Sequence, residues 1–411
     1  MAERTNWAGN ITFSTAVQAP GSVPELQELV RSSERVRVLG TGHSFNRIAD
    51  TSGTLVSVLD LPRVVTIEES AVTISAGLRY GEVTAALQAE GKALHNLGSL
   101  PHISVAGACA TGTHGSGNAN GTLASAVTAI TFIDARGELV TLSKGDPDFL
   151  GSVISLGALG VTVQIQLETR PTYEISQVVY DGLPLDRLGS DFEEIFASAY
   201  SVSAFTDWLD PDVMVWRKLR AGTPYEPTWL GAHLADGARH PIKAMPADFA
   251  TQQGGVVGPW NERLPHFRLE FTPSNGEELQ SEYFLPRAAA GEAFEALRAL
   301  GSKLAPVMQI SEVRTIAADD LWLSPSQGRD TVALHFTWIQ DEAAVLPVVE
   351  ALEAALLPLD ARPHWGKVFT ADAATLREVY PKVPDFIPLA AKYDPDGKFR
   401  NDYLNTYLPA T

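Results

Sequence analysis

Cysteine is almost missing from this chain: Cys109 is the one thiol in 411 residues. No intramolecular disulfide can form, so nothing in the sequence demands an oxidising compartment. A thiolate metal site and a redox pair are excluded with it, and no metal is expected. No apolar stretch is long enough to span a bilayer. The opening "MAERTNWAGN" lacks an apolar core of signal-peptide length, so a cytoplasmic protein without membrane contact is the expectation. Basic residues are scarce too. The 31 Lys and Arg stand against 49 Asp and Glu, a formal net charge of −18, with no local basic run to offset it. Nucleic acid is therefore not an expected partner, because binding it needs concentrated Lys and Arg. Hydrophobic residues reach 45% and charged residues only 19%, which places the chain among folded globular proteins. Its length suits two domains, and a monomer is the working expectation.

The first third alternates short strands and helices. "PELQELVRSSER" (24–35) places Leu26, Leu29 and Val30 on one helical face. Strands are predicted at 36–40, 54–58, 63–67 and 71–75, a helix over 79–91 closed by Gly91, a hairpin over 126–143 turning at Gly137, and a strand over 160–170. From 174 to 363 the character changes to long strands, "HFRLEFT" and "TVALHFTWI" among them, mixed with helices at 291–305 and 342–357. That pattern predicts an antiparallel sheet with helices on one face.

Two glycine-rich stretches stand out. "VRVLGTGHSFN" (36–46) reads as a strand entering a phosphate loop, but a dinucleotide loop of the form G-x-G-x-x-G is not completed. The third glycine is replaced by Phe45, and an imidazole, His43, directly follows Gly42. "ATGTHGSGNANG" (110–121) repeats the threonine-glycine-histidine theme. Thr41-Gly42-His43 and Thr111-Gly112-Thr113-His114 thus look like two walls of one cofactor site, with backbone N–H groups open to a pyrophosphate. With no acidic residue for a ribose in a βαβ unit, a Rossmann site is not expected.

Strand alternation sorts the second region into faces. In "TVALHFTWI", Val332, Leu334, Phe336 and Trp338 point one way and Thr331, Ala333, His335 and Thr337 the other. In "HFRLEFT", His266, Arg268, Glu270 and Thr272 oppose Phe267, Leu269 and Phe271, which suggests one solvated side. In "QISEVRTI", Glu312 and Arg314 share a face with Ile310 and Ile316. An acid and a guanidinium on a partly buried face must pair to be tolerated, and such a pair suits a polyol.

Taken together, "GTGHSFN", "GSLPHISVAGACATGTHGSG" and "SLGALGV" (155–161) resemble the FAD domain of the vanillyl-alcohol oxidase superfamily. With "SEVRTIAADDLWLSP" (311–325), "RDTVALHFTW" (329–338) and "RPHWGKVF" (362–369), the chain resembles the alditol oxidases within it, from "NWAGNITF" (6–13) to "DPDGKF" (394–399). The resemblance implies an α+β, two-domain fold: a FAD-binding domain of the PCMH type over 1–173, an antiparallel-sheet substrate or cap domain over 174–363, and a segment, 364–411, returning to the FAD domain. It implies FAD attached covalently through His43, which explains the imidazole in the loop. Cofactor contacts fall on Gly40, Thr41, Gly42, Ser44 and Phe45 in the first motif. In the second they fall on Ser99, Ser104, Gly107, Thr111, Gly112, Thr113 and His114, and in the third on Gly160 and Val161, with His364 beside the flavin.

For the substrate, the resemblance puts Ser99, Glu312, Arg314 and Thr337 on a terminal diol and Gln280 on the wall. Lys367 stands near the reactive edge, and either His335 or Lys367 handles the hydroxyl proton. Gly98 would leave a path for dioxygen. The implied reaction oxidises linear polyols such as xylitol or sorbitol at C1 to the aldose, with dioxygen reduced to hydrogen peroxide. Two other readings stay open. One is lactone oxidation, since "HWGK" and the flavin loops are also similar to those of aldonolactone oxidases. The other is a sugar- or nucleotide-binding protein without turnover.

Overall fold

The computed structural model describes residues 4–243, 245–270 and 277–409. It is an α+β structure built around three main sheets. The smallest is parallel, with Thr54–Val56 between Val17–Gln18 and Val36–Val38. The second is antiparallel, in the order Val65–Ile67, Ala71–Ser75, Val161–Glu168, Val127–Ile133, Leu139–Ser143. The third is a ten-stranded antiparallel sheet. Its central strands run Glu174–Pro184, Asp212–Arg220, Ser201–Thr206, Met308–Ile316, Thr331–Ile339, Glu278–Pro286, with Arg362–Pro363 on the edge.

Local chemistry explains most element ends. The helix Val23–Ser32 starts where Ser22 Oγ accepts from Glu25 N at 3.3 Å, with Pro24 in its first turn, and it buries Leu26 and Val30. In the hairpin, Asp134 Oδ1 accepts from the N–H groups of Arg136 and Glu138 at 2.9 and 3.0 Å, which folds the turn through Gly137. The strands expected at 54–58 and 63–67 are shorter, ending at Val56 and starting at Val65.

The ten-stranded sheet is covered on one face. Leu334, Phe336 and Trp338 pack with Phe294 and Leu297 of the helix Ala290–Leu304 and with Val345, Val349 and Leu352 of Glu342–Leu356. Each such side chain contributes roughly 1.5–3 kcal/mol when buried, so this face fixes the register. Alternation then sends His335 and Thr337 to the other face, which closes a cavity of about 680 Å³ against the two smaller sheets and their loops. Beyond Pro363 the chain returns to those sheets. Val36 N donates to Lys398 O at 2.8 Å, and the Asn401 amide donates to the carbonyls of Arg47, Ile48 and Asp50.

The described part of "HFRLEFT", residues 266–270, is not a strand. His266 follows Pro265 in a bend, Phe267 makes a single bridge to Ala250, and Leu269 and Glu270 lie in a turn. Phe271 and Thr272 lie outside the described residues. The segment is held instead by two N–H donations, from His266 and Phe267, to the carbonyl of Ser99. The alternation read there fails with it: Leu269 is exposed, and His266 is buried at 5% exposure.

Candidate active site

One end of the cavity is built by the two glycine-rich stretches. Gly42 takes φ +73°, a left-handed turn that glycine adopts without strain. A Cβ on Gly40 would meet Ser104 Oγ at 2.6 Å, so the first loop closes onto that serine, the N-cap of the helix Val105–Thr111, and a Cβ on Gly107 in the first turn of that helix would meet the same hydroxyl at 2.8 Å. Thr41 Oγ1 accepts from Ser104 N at 3.2 Å and lies 3.0 Å from His43 Nδ1. The imidazole stacks on Trp7 at 5.2 Å. Burial, then the charges of His102 and Arg79, lowers its pKa to about 4, so the ring is neutral near pH 7 and its nitrogen lone pair is available. The wall also includes Ser44, Phe45, Ser99, Thr111, Thr113, His114, Gly160 and His364.

Three residues expected on this wall do not line it. Gly112 is the left-handed C-cap of the helix Val105–Thr111, at φ +75°, where a Cβ would meet Pro325 at 2.9 Å. Val161 points into the apolar core, because alternation along Val161–Glu168 turns it inward. Gly98 is buried one residue behind Ser99, packed toward Thr113, His114 and Leu123.

The other end is a row across the sheet. Glu312 pairs in register with His335, and His335 with Glu282. The next row outward carries Ile310, Thr337 and Gln280. Lys367 enters from the loop after the edge strand. Its "HWGK" segment is laid along the Glu278–Pro286 strand by His364 N to Glu282 O at 2.9 Å and Val368 N to Gln280 O at 2.8 Å. The Asn46 amide, just past the first glycine loop, clamps the carbonyls of Trp365 and Lys367, each at 2.8 Å. The loop that carries His43 thus also aims Lys367.

The expected Glu312–Arg314 pair is present as an ion pair, without a direct hydrogen bond. Arg314 Nε lies 3.6 Å from Glu312 Oε1 and makes no hydrogen bond among the described residues. The strong partner of Arg314 is Glu282, whose Oε1 accepts from Nη2 at 2.5 Å. Glu312 is instead bonded to His266 Nε2 at 2.8 Å. Residues two apart on a strand sit about 7 Å apart, whereas partners on the neighbouring strand are closer, and Ala333 opposite Arg314 leaves room for the guanidinium to reach across.

Glu282 is the centre of the charges. Besides Arg314 it binds Lys367 Nζ at 2.8 Å and lies 3.1 Å from His114 Nε2, at 2% exposure. Burial pushes its carboxyl up, but Lys367, His114 and Arg314 outweigh that and hold it well below the usual range. Glu312 is likewise driven up by burial and held down more strongly by Arg314, His266 and His335. Lys367 also donates to His335 Nδ1 at 2.7 Å, and His335 Nε2 lies 3.2 Å from Thr337 Oγ1. Burial lowers the pKa of Lys367 against the pull of Glu282; burial and Lys367 together lower that of His335. Sequence reasoning missed Glu282, His266 and Lys218. Glu282 was within reach, because it shares a strand face with Gln280. His266 was hidden by the strand assignment. Lys218 carried no signal in "DVMVWRKLR".

Comparisons with known proteins identify the family. Residues 14–143 match the family described as FAD binding domain, and 274–407 match the family described as D-arabinono-1,4-lactone oxidase. The chain is 50% identical to an alditol oxidase from a Streptomyces species, over 98% of each protein. It is 31% identical to an L-gulono-1,4-lactone dehydrogenase of Mycobacterium tuberculosis, again over 98% of each. A cholesterol oxidase from B. sterolicum has the same fold, with a TM-score of 0.83 at 14% identity, covering 99% of this chain and 96% of that one. The chain belongs to the alditol oxidase family, FAD-dependent oxidoreductases of the vanillyl-alcohol oxidase superfamily.

Proposed function

We propose that this protein oxidises linear alditols, xylitol and sorbitol among them, at the C1 hydroxyl to the aldose, with FAD tethered at His43 and dioxygen as electron acceptor. Overall, RCH2OH and O2 become RCHO and H2O2. One observation carries the reading: an anionic acceptor, Glu312, and a cationic donor, Arg314, lie side by side on the cavity wall near Lys367. A vicinal diol supplies a donor and an acceptor to match. In this reading residues 1–173 and the returning 364–411 hold FAD, and 174–363 hold the substrate.

The residues fit FAD. The bare backbone at Gly40 and Gly107, the left-handed Gly42 and the neutral His43 provide close approach and a nucleophilic nitrogen. When bound, FAD supplies the hydride acceptor that no side chain can. Glu312 takes a hydrogen bond from the C2 hydroxyl, while Arg314 Nε, Thr337 and Ser99 orient the C1 oxygen, and Gln280 contacts the rest of the chain. Neutral Lys367, made accessible by its lowered pKa, accepts the C1 hydroxyl proton and then stands as a cation beside the developing alkoxide. His335, 2.7 Å away, shares that proton. Substrate oxidation therefore speeds up as pH rises and the Lys367–His335 pair loses its proton.

The match to a lactone oxidase family favours a second reading, oxidation of a sugar lactone. Anaerobic mixing with a panel of alditols and aldonolactones decides. Xylitol or sorbitol is expected to bleach the bound flavin and to give peroxide on admission of air. Bleaching by lactones alone would replace the alditol reading.

Two variants test the cofactor side. Acid precipitation of the native protein is expected to leave a yellow pellet, whereas His43→Ala binds FAD in its intact loops and releases it on precipitation. A colourless wild-type pellet would rule out the tether. At Gly98, the nearest atoms a Cβ would meet are His114 O, Thr113 Cγ2 and Leu123 Cδ1, at 3.6, 3.7 and 3.8 Å, so alanine fits. Because Gly98 lies behind the cavity wall, Gly98→Ala is expected to leave both reoxidation by dioxygen and reduction by xylitol unchanged. A selective slowing of reoxidation, followed by stopped flow, would put Gly98 on the path of dioxygen.

A further inference from the structure

Behind Glu312 lies a buried cation that the reaction does not touch. Lys218, on the strand Asp212–Arg220, is 1% exposed. Its Nζ donates to Leu264 O, to Pro265 O at 3.1 Å and to His266 Nδ1 at 3.1 Å. An ammonium has three N–H groups, and here it meets three acceptors, so the protonated form is fully satisfied. His266 Nδ1 must then carry the lone pair, which puts the ring proton on Nε2, 2.8 Å from Glu312 Oε1. The ring is boxed in by Trp216 at 5.2 Å and Phe205 at 5.8 Å, so it cannot turn aside freely.

We infer that Lys218 is a positioning residue: through the His266 tautomer it holds Glu312 as an anionic acceptor aimed into the cavity. This rests on the reading that Glu312 binds a substrate hydroxyl. The titratable groups that face Lys218 are neutral His266 and the charged Glu312 and Arg314. Burial pulls its pKa down to about 7, with Glu312 pulling up and Arg314 down. As pH rises through that value the amine keeps two N–H groups for three acceptors, and its hold on the His266 tautomer weakens. A packing role would carry no such dependence.

The test compares KM for xylitol in the wild-type holoenzyme and in Lys218→Met across pH. The ratio is expected to be about tenfold near about pH 6 and to narrow toward one near about pH 9, because the wild type loses its own ammonium there. The kcat values should differ much less. Spectra of nitrogen-labelled histidine should place the His266 ring proton on Nε2 in the wild type and not in the variant. A KM ratio that is flat with pH, or equal to one throughout, overturns the inference.

Should Lys218→Met fail to fold, a second pair decides. His266→Gln still offers an N–H to Glu312 and is expected to keep KM within about threefold, while His266→Leu raises it by about tenfold. Equal values for the two overturn the inference. Glu312→Gln separates the two levels of the argument. If it leaves KM unaltered, the substrate role of Glu312 fails and this inference falls with it. If it raises KM while Lys218→Met does not, this inference alone falls.

Discussion

Arg314→Ala is expected to lower kcat/KM for xylitol by on the order of 10²-fold or more, with FAD still bound. Two losses add. The cavity wall loses a guanidinium beside Glu312, whose Nε makes no hydrogen bond among the described residues. Glu282 loses a 2.5 Å charge-assisted bond at 2% exposure, which leaves its Oε1 undercompensated beside Lys367. Arg314→Lys should recover little, because an ammonium cannot place one N–H on Glu282 and another at the Nε position. Steady-state kinetics with the flavin spectrum as a folding control decide the matter. A change of threefold or less, a threshold of ~0.65 kcal/mol, would remove Arg314 from the substrate site.

Lys367→Met should preserve the fold and the bound flavin and slow anaerobic flavin reduction by roughly 10²–10⁴-fold, the range for loss of a general base. The side chain joins Glu282 Oε2 at 2.8 Å to His335 Nδ1 at 2.7 Å, so no neighbour stands in the same place to replace it. The sign of the pH effect follows from the lowered pKa. The neutral amine is the base, so wild-type reduction accelerates as pH rises through the titration of the pair, below the range of an ordinary lysine. In Lys367→Met that limb should vanish. His335 alone keeps a pKa well below its ordinary value, from burial before all else, and so stays neutral over the same interval. A wild-type rate independent of pH, or a variant that keeps the limb, would take the proton away from Lys367.

Much of this site could be read from local pattern. Strand alternation put His335 and Thr337 on the face opposite Leu334 and Phe336, and the sheet keeps them there because apolar burial against two helices leaves no other register. Glycine spacing marked the loop around His43, since Gly42 is needed for a left-handed turn whatever the rest of the chain does. The same local rules failed at "HFRLEFT", where alternating residues follow Pro265 into a bend held by the carbonyl of Ser99, more than 160 residues earlier.

What the sequence by itself determined is the type of most elements, which side chains share a face of the strands that form, and the motifs that identify the family. What only the tertiary structure decided is who pairs with whom. Glu312 and Arg314 are neighbours in the chain, yet each takes its strong partner elsewhere: Glu312 from His266 in a bend, Arg314 from Glu282 two strands away. The physical reason is distance. A buried charge must be matched within about 3 Å, and a strand offers its own next same-face residue only at about 7 Å, so matching falls to whichever strand or loop the sheet order brings alongside. Lys218 is the extreme case. Nothing near it in the chain marks it out, and its importance lies wholly in three acceptors supplied by residues 264 to 266.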